Sequence, residues 1–145
     1  MIIKQLSVFL ENKIGRLTEI TGILAEHNIN ISAFSIADST DFGILRMITS
    51  DPDLAENVLK ANGFAVKITD VVCLIVPHNP GGLHKALRIL SDNGVAIDYM
   101  YAYATGNSAV VVIRADSLEK IINVLQQHEH QFLQPGTNQN LNNDS

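Results

Sequence analysis

Two short segments of this chain combine residue types that could bind a small anion. Ile14–Leu17 reads IGRL and Pro80–Leu83 reads PGGL, and each connects a strand pattern to a helix pattern. The first N–H groups of a helix have no partner within the helix, and the helix dipole places partial positive charge there. Glycine lets the backbone approach a ligand without a Cβ in between. Both segments therefore suit a carboxylate, although a plain strand-to-helix turn has the same spacing.

The two segments belong to an internal repeat. Leu17 and Leu83 lie 66 residues apart, and the same offset pairs Leu6 with Val72 and Ile31 with Ile97. A repeated strand–glycine–helix pattern predicts two copies of one small domain. Because units of about 65 residues are only marginally stable alone, we expect the copies to pack closely.

Hydrophobic periodicity predicts the order βαββαβ in each copy. The predicted strands are residues 2–10, 30–37, 43–49 and 64–69, then 71–76, 96–104, 109–114 and 130–133. The predicted helices are 16–27 and 52–62, then 82–93 and a last one that ends near residue 128. Asp51 and Pro52 should begin the second helix, and Asp116 with Glu119 predicts a capping box for the fourth.

The predicted fold class is therefore α+β. It consists of two tandem ferredoxin-like βαββαβ units, with antiparallel sheets and helices on one face. We expect domains at residues 1–69 and 70–134, and a disordered tail at 135–145. We expect Leu17 and Leu83, in the first helix of each copy, to belong to the apolar stripe that faces the sheet.

Composition excludes several functional classes. The 145 residues are 46% hydrophobic and carry a formal net charge of −5, with no run of Lys or Arg, which argues against nucleic-acid binding. No apolar run could span a membrane, and no secretory signal is recognisable. The one cysteine, Cys73, forms no intrachain disulfide and predicts a cytoplasmic location. The histidines share no metal-ligand spacing, so we expect no metal and no cofactor.

The second copy is apolar on both faces of its predicted sheet. Val71, Cys73 and Ile75 alternate with the residues that should face the helices, and three tyrosines share one strand face, namely Tyr99, Tyr101 and Tyr103. Such an outer face predicts a homodimer. The alternative is that these strands are covered by the other copy.

The order of these features resembles the ACT domain family. The loop pattern of that family is an acidic residue or Asn, any residue, Pro, Gly, any residue and Leu. Asn12–Leu17 (NKIGRL, here the N-loop) and His78–Leu83 (HNPGGL, the C-loop) are similar to it, and the resemblance covers about residues 2–134. It implies small regulatory modules that bind amino acids or similar metabolites, usually where two such domains meet.

The resemblance also implies site residues. In serine-binding members, a loop Asn and an Asn-Ile pair at the next strand hold the ligand's polar groups, and Asn12 and Asn30–Ile31 match them. Leu10 stands where those members have His. In the second copy, Asp98 could pair with an ammonium group or be a solvated strand residue. The candidate ligand-binding residues are Asn12, Ile14, Gly15, Arg16, Leu17, Asn30, Ile31, His78, Asn79, Pro80, Gly81, Gly82, Leu83 and Asp98.

The expected function is a free-standing, non-catalytic sensor. Its ligand would be a small amino acid or related metabolite bound at the glycine loops near the interface of the two domains, and its target a separately encoded enzyme or its own assembly. A scaffold protein with no small-molecule ligand is the alternative. A second alternative is an acylphosphatase-like enzyme, which needs an anion-binding loop that carries Arg together with a catalytic Asn. Arg16 and Asn12 lie near that loop, but the glycine-rich phosphate loop of such enzymes is missing.

Overall fold

The architecture is an α+β fold, as the sequence predicts, and the described part of the chain contains six antiparallel strands and four helices. A computed structural model describes residues 1–38 and 41–128. The elements are β1 (Ile2–Glu11), α1 (Arg16–Glu26), β2 (Ile31–Asp38), β3 (Phe42–Thr49), α2 (Pro52–Ala61), β4 (Ala65–Pro77), α3 (Gly82–Asp92), β5 (Ile97–Thr105), β6 (Ser108–Ala115) and α4 (Leu118–Gln127). The predicted strand at 130–133 and the predicted tail lie outside the described residues.

The chain forms two compact units. The N-terminal unit is Lys4–Asp70, and the C-terminal unit combines Met1–Ile3 with the described residues from Val71 to His128. The strands predicted at 64–69 and 71–76 are in fact one continuous strand, β4. Asp70 between them is neither glycine nor proline, so nothing in the backbone forces a break there.

In the N-terminal unit, β3 lies between β1 and β2 and is antiparallel to both. Leu6 opposes Met47 and Val8 opposes Leu45, so alternate residues of both strands share the face that packs on the helices. These four side chains are almost completely buried. They form one core with Ile20, Ile23, Leu24, Ile29, Ala55 and Leu59.

In the C-terminal unit, β6 lies between β4 and β5. The backbone carbonyl of Met1 accepts a hydrogen bond of 2.8 Å from the N–H of Cys73, which ties the first residue to β4. The core of this unit is Val72, Leu74, Val76, Ala86, Leu90, Val95, Val111, Ile113, Ala115, Ile121 and Val124.

The first residues of α2 and α4 differ in how well they match the predicted caps. Asp51 caps α2 by accepting a 3.1 Å hydrogen bond from the N–H of Leu54, and Pro52 is the first helical residue, as predicted. The capping box at Asp116 and Glu119 is wrong. The residue that caps α4 is Ser117, whose Oγ accepts from the N–H of Lys120 at 3.2 Å.

The exposed apolar side chains are not where the sequence placed them. Val71 and Ile75, expected on an uncovered face of the second copy, are 0% and 8% exposed within this single chain. The exposed phenylalanines instead lie in the N-terminal unit, where Phe9, Phe34 and Phe42 are each more than half exposed.

Candidate functional site

The N-loop and the C-loop share one backbone conformation. Gly15 has φ of +91° and Gly81 has φ of +87°, the left-handed region in which a residue with a Cβ is strained. Each glycine is the N-cap of the following helix, and its carbonyl accepts the first helical hydrogen bond, from Glu19 at 2.9 Å and from Lys85 at 3.0 Å. The repeat in sequence is therefore also a repeat in local geometry.

Both loops leave backbone donors available. Because the caps are glycines, neither cap residue has a side chain that could accept from the first turn of α1 or α3. Within the described residues, the N–H groups of Leu17 and Thr18 have no acceptor, and neither do those of Leu83 and His84. Two adjacent donors at the positive end of a helix favour a carboxylate or a similar anion.

The loops differ at the residue after the left-handed glycine. A Cβ on Gly82 would overlap the carbonyl oxygen of Pro77, and it would lie 3.2 Å from Oδ1 of Asn79. The backbone at position 82 therefore approaches Pro77 so closely that only glycine fits there. The N-loop has Arg16 at the equivalent position, so its backbone makes no such close approach.

Charge also separates the two loops. The guanidinium of Arg16 lies 3.2 Å from the carboxylate of Glu19 and 3.6 Å from that of Glu11, which is itself 2.8 Å from the ammonium group of Lys13. The Lys13 hydrogen bond and charge, helped by Arg16, hold the pKa of Glu11 below its usual range. Arg16 therefore already has two carboxylate partners within the protein. The first turn of α3 contains no acidic residue.

Leu17 and Leu83 are not core residues, contrary to the expected apolar stripes. They are 37% and 39% exposed, and Ile14 is fully exposed. Helix periodicity assigns both leucines to the inward face, but each lies in the first turn of its helix and stays more than one-third exposed. Each loop therefore presents one apolar side chain beside its free N–H groups.

The predicted site residues of one copy are not brought together within one unit. The N–H of Asn12 donates to the carbonyl of Asp41, and its side chain lies over Gly43 at the start of β3. Asn30 instead exchanges hydrogen bonds with Ser50, beyond the end of β3. Six residue steps separate Gly43 from Thr49, roughly 20 Å of strand. Ile31, opposite Thr49, is far from the N-loop for the same reason.

The C-terminal unit repeats this separation. The backbone N–H of His78 donates to the carbonyl of Asn107, just before β6, while Asp98 lies in a β-bulge opposite Arg114 and Ala115 at the end of that strand. Ser32 occupies the equivalent bulge in the N-terminal unit. Within the C-loop, the carbonyl of Asn79 accepts from the N–H of Gly82 at 3.1 Å, and Pro80 is exposed.

The duplicated loops and units match a known protein family. The profile of the family described as an ACT domain pair matches residues 1–143. The chain belongs to the ACT domain pair family. The resemblance drawn from the two loops is thereby confirmed, and it extends to both units. No match was found among curated proteins.

Solved structures agree with the ACT assignment. A crystal structure of a Bacteroides thetaiotaomicron protein is 56% identical, with a TM-score of 0.86, and the match covers 89% of this chain and 90% of that one. The regulatory subunit of aspartate kinase from Thermus thermophilus, in its ligand-free form, has a TM-score of 0.61 at 14% identity, over 88% and 96% of the two chains. The Thermus flavus subunit has a TM-score of 0.58 at 16% identity, over 88% and 94%. At 14% and 16% identity, the likeness to the two Thermus proteins is one of fold.

Sequence reasoning missed two features of these ACT loops. Glu11 and Glu19 surround Arg16, and the three-residue spacing from Arg16 to Glu19 was a usable signal for an ion pair on the helix. The close approach of Gly82 to Pro77 had no comparable signal. Among the described residues there is no group of three His, Cys, Asp or Glu side chains placed to hold a metal. No helix in that part of the chain is long and apolar enough to cross a bilayer.

Proposed function

We propose that this ACT domain pair is a non-catalytic regulatory module that binds a small amino acid or a related metabolite at its two glycine loops. The observation that carries the proposal is the repeated loop geometry. Each copy combines a left-handed glycine, two adjacent N–H groups without an acceptor and an exposed leucine. A plain strand-to-helix turn needs the glycine but not the exposed leucine.

In the N-loop, the ligand's carboxylate accepts hydrogen bonds from the N–H groups of Leu17 and Thr18. Its side chain packs against Leu17 and Ile14, and the amide of Asn12 offers an acceptor for the ammonium group. In the C-loop, the N–H groups of Leu83 and His84 take the same role, with His78, Asn79, Pro80 and the Gly81–Gly82 backbone around the ligand.

Three of the proposed site residues lie away from the glycine loop of their own unit, namely Asn30, Ile31 and Asp98. An amino acid separates its charged groups by only a few ångströms, whereas Asn12 and Asn30 lie at opposite ends of β3. One unit by itself therefore cannot place both side chains on one ligand.

The proposed output is a change in the contacts of the module with another protein. A structure with this fold is described as a regulatory subunit of aspartate kinase, which supports regulation of a separately encoded enzyme. We propose that the chain is a homodimer, and the exposed Phe9, Phe34 and Phe42 support an interface on the N-terminal unit. The single cysteine supports a cytoplasmic location.

A thermal-shift screen of the twenty amino acids tests the binding proposal. A ligand at one hundred times its dissociation constant adds about 2.7 kcal/mol to the free energy of unfolding, which is readily detected. We expect Gly15→Val or Gly81→Val to abolish the shift, depending on which loop is used. Gly63→Val is the matched control, because Gly63 also has φ near +86° and an open Cβ direction but ends α2.

Two results would contradict the binding proposal. One is the absence of any shift at millimolar concentrations of all twenty amino acids. The other is an equal loss of ligand affinity in Gly63→Val and in both loop variants. The first result favours the scaffold alternative, for which the exposed phenylalanines are the supporting observation. Mass measured in solution tests the homodimer, and a monomer across the accessible concentration range would exclude it.

A further inference from the structure

The C-terminal unit has an open cleft between α3 and the end of α4, and no C-loop residue lines it. Its volume is about 600 Å³, which lies within the range of small-ligand sites. Its lining residues are Lys85, Arg88, Ile89, Asp92, Asn93 and His128. The first five occupy one helical face, because they follow one another at steps of three, one, three and one residues. His128, at the end of α4, forms the other wall.

The two cations of this α3–α4 cleft are available to a ligand. The ammonium group of Lys85 has no hydrogen bond or ion pair with any residue that the structure describes. Nε of Arg88 is 3.7 Å from Oδ2 of Asp92, with the two side chains 72% and 67% exposed. Such an exposed pair is weak, so the guanidinium can turn towards a ligand at little cost. Its planar fork then matches a carboxylate or a phosphate group.

The remaining lining residues complete a small-molecule site. Nδ1 of His128 lies 3.0 Å from the carbonyl oxygen of Val124 and donates to it, so Nε2 is the ring nitrogen left for a ligand. Nδ2 of Asn93 donates to the carbonyl of Ile89 at 2.7 Å, which leaves the amide oxygen free to accept. The partly buried side chain of Ile89 provides an apolar surface between these groups.

The internal repeat shows that the fold does not require these cations. At the 66-residue offset, the equivalents of Lys85, Arg88 and Asp92 on α1 are Glu19, Gly22 and Glu26. The equivalent positions on α1 therefore carry no Lys or Arg in the N-terminal unit. A purely structural role for Lys85 and Arg88 leaves this difference unexplained.

We propose that the α3–α4 cleft binds a small organic dianion. Arg88 and Lys85 contact its negatively charged groups, and Ile89 contacts its carbon skeleton. The dianion can be a phosphate monoester or a dicarboxylate, since both offer paired anionic oxygens to the guanidinium fork. This site is independent of the amino-acid site proposed for the glycine loops.

Backbone amide NMR shifts of the full chain test this proposal. Glycerol phosphate and succinate are titrated, with glycerol and succinamide as uncharged controls. We expect the charged probes to shift amide signals of α3 and of residues 124–128, and the uncharged ones to shift none. A response to only one of the two anions supports the proposal and identifies the preferred charged group.

Charge variants locate the binding. Arg88→Gln and Lys85→Gln are each expected to weaken binding about tenfold, the usual size for a lost charged hydrogen bond. Lys60→Gln is the matched control, because Lys60 is an exposed helical cation paired with Glu56 at the same four-residue spacing. Binding that is equally sensitive to Lys60→Gln, or shifts confined to the loops, would overturn the proposal, as would no response at millimolar concentrations. Any amino acid that gives a thermal shift should leave dianion affinity unchanged when it is present at saturation, which separates this test from that of the amino-acid site.

Discussion

Substituting Gly82 tests the geometry of the C-loop most directly. A Cβ at this position would overlap the carbonyl oxygen of Pro77 and press on Oδ1 of Asn79 at 3.2 Å. Backbone is the harder of these two obstacles to move, because Pro77 is the last residue of β4 and is paired with Ser108. Gly82→Ala must therefore displace either the end of β4 or the first turn of α3.

The size of the effect follows from two opposing contributions. Adding a methyl group to a fully packed site costs about 1–3 kcal/mol. Alanine regains up to about 1 kcal/mol of helix propensity, and less in a first turn such as this one. We expect a net loss of about 2 kcal/mol in the free energy of unfolding, or roughly 4–8 °C in Tm for a chain of this length.

Gly22→Ala in α1 is the control for this substitution. It makes the same chemical change on a helix, but Gly22 has no atom within 4 Å of its Cβ direction. It should therefore stabilise the protein by about 0.5–1 kcal/mol. Urea unfolding followed by circular dichroism measures both variants. If Gly82→Ala is as stable as the unsubstituted protein, the close approach to Pro77 is wrong.

Two other predictions concern a helix cap and the cysteine. Ser117→Ala should cost about 1 kcal/mol in urea unfolding because it removes the cap of α4, and a larger loss in Glu119→Ala would restore the rejected capping box. Burial raises the pKa of the Cys73 thiol. At a given pH a smaller fraction of this thiol is thiolate, so Cys73 should react with a disulfide reagent more slowly than free cysteine does. The increase of its rate with pH should also occur at a higher pH than for free cysteine. An equal rate and an equal pH profile would contradict the burial of Cys73.

Much of the fold could be predicted because its signals are local. The alternation of Leu6, Val8 and Leu10 defines the buried face of β1 from three residues, and all three are buried. Asn28 follows the end of α1 with φ of +56°, a left-handed conformation that Asn adopts more readily than most residues after a helix. Where two neighbouring residues could both serve, as Asp116 and Ser117 could, the local signal was ambiguous and the cap was misassigned.

The candidate site was only partly predictable because its residues are distant in sequence. The two glycines were correctly identified as the turning points of their loops, since only glycine adopts their backbone conformation readily. The exposure of Leu17 and Leu83 depends instead on which side chains pack around the first helical turn, and periodicity does not report that.

The sequence by itself therefore determined the duplication, the order of strands and helices, and the position of the two glycine loops. These follow from short-range patterns that each copy contains in full. Only the tertiary structure decided that Met1–Ile3 belong to the C-terminal unit and that Asn12 and Asn30 lie at opposite ends of β3. It also decided that Lys85, Arg88 and His128 line one cleft. The physical reason is that strand pairing and helix packing join residues far apart in the chain, and no local pattern records which ends they bring together.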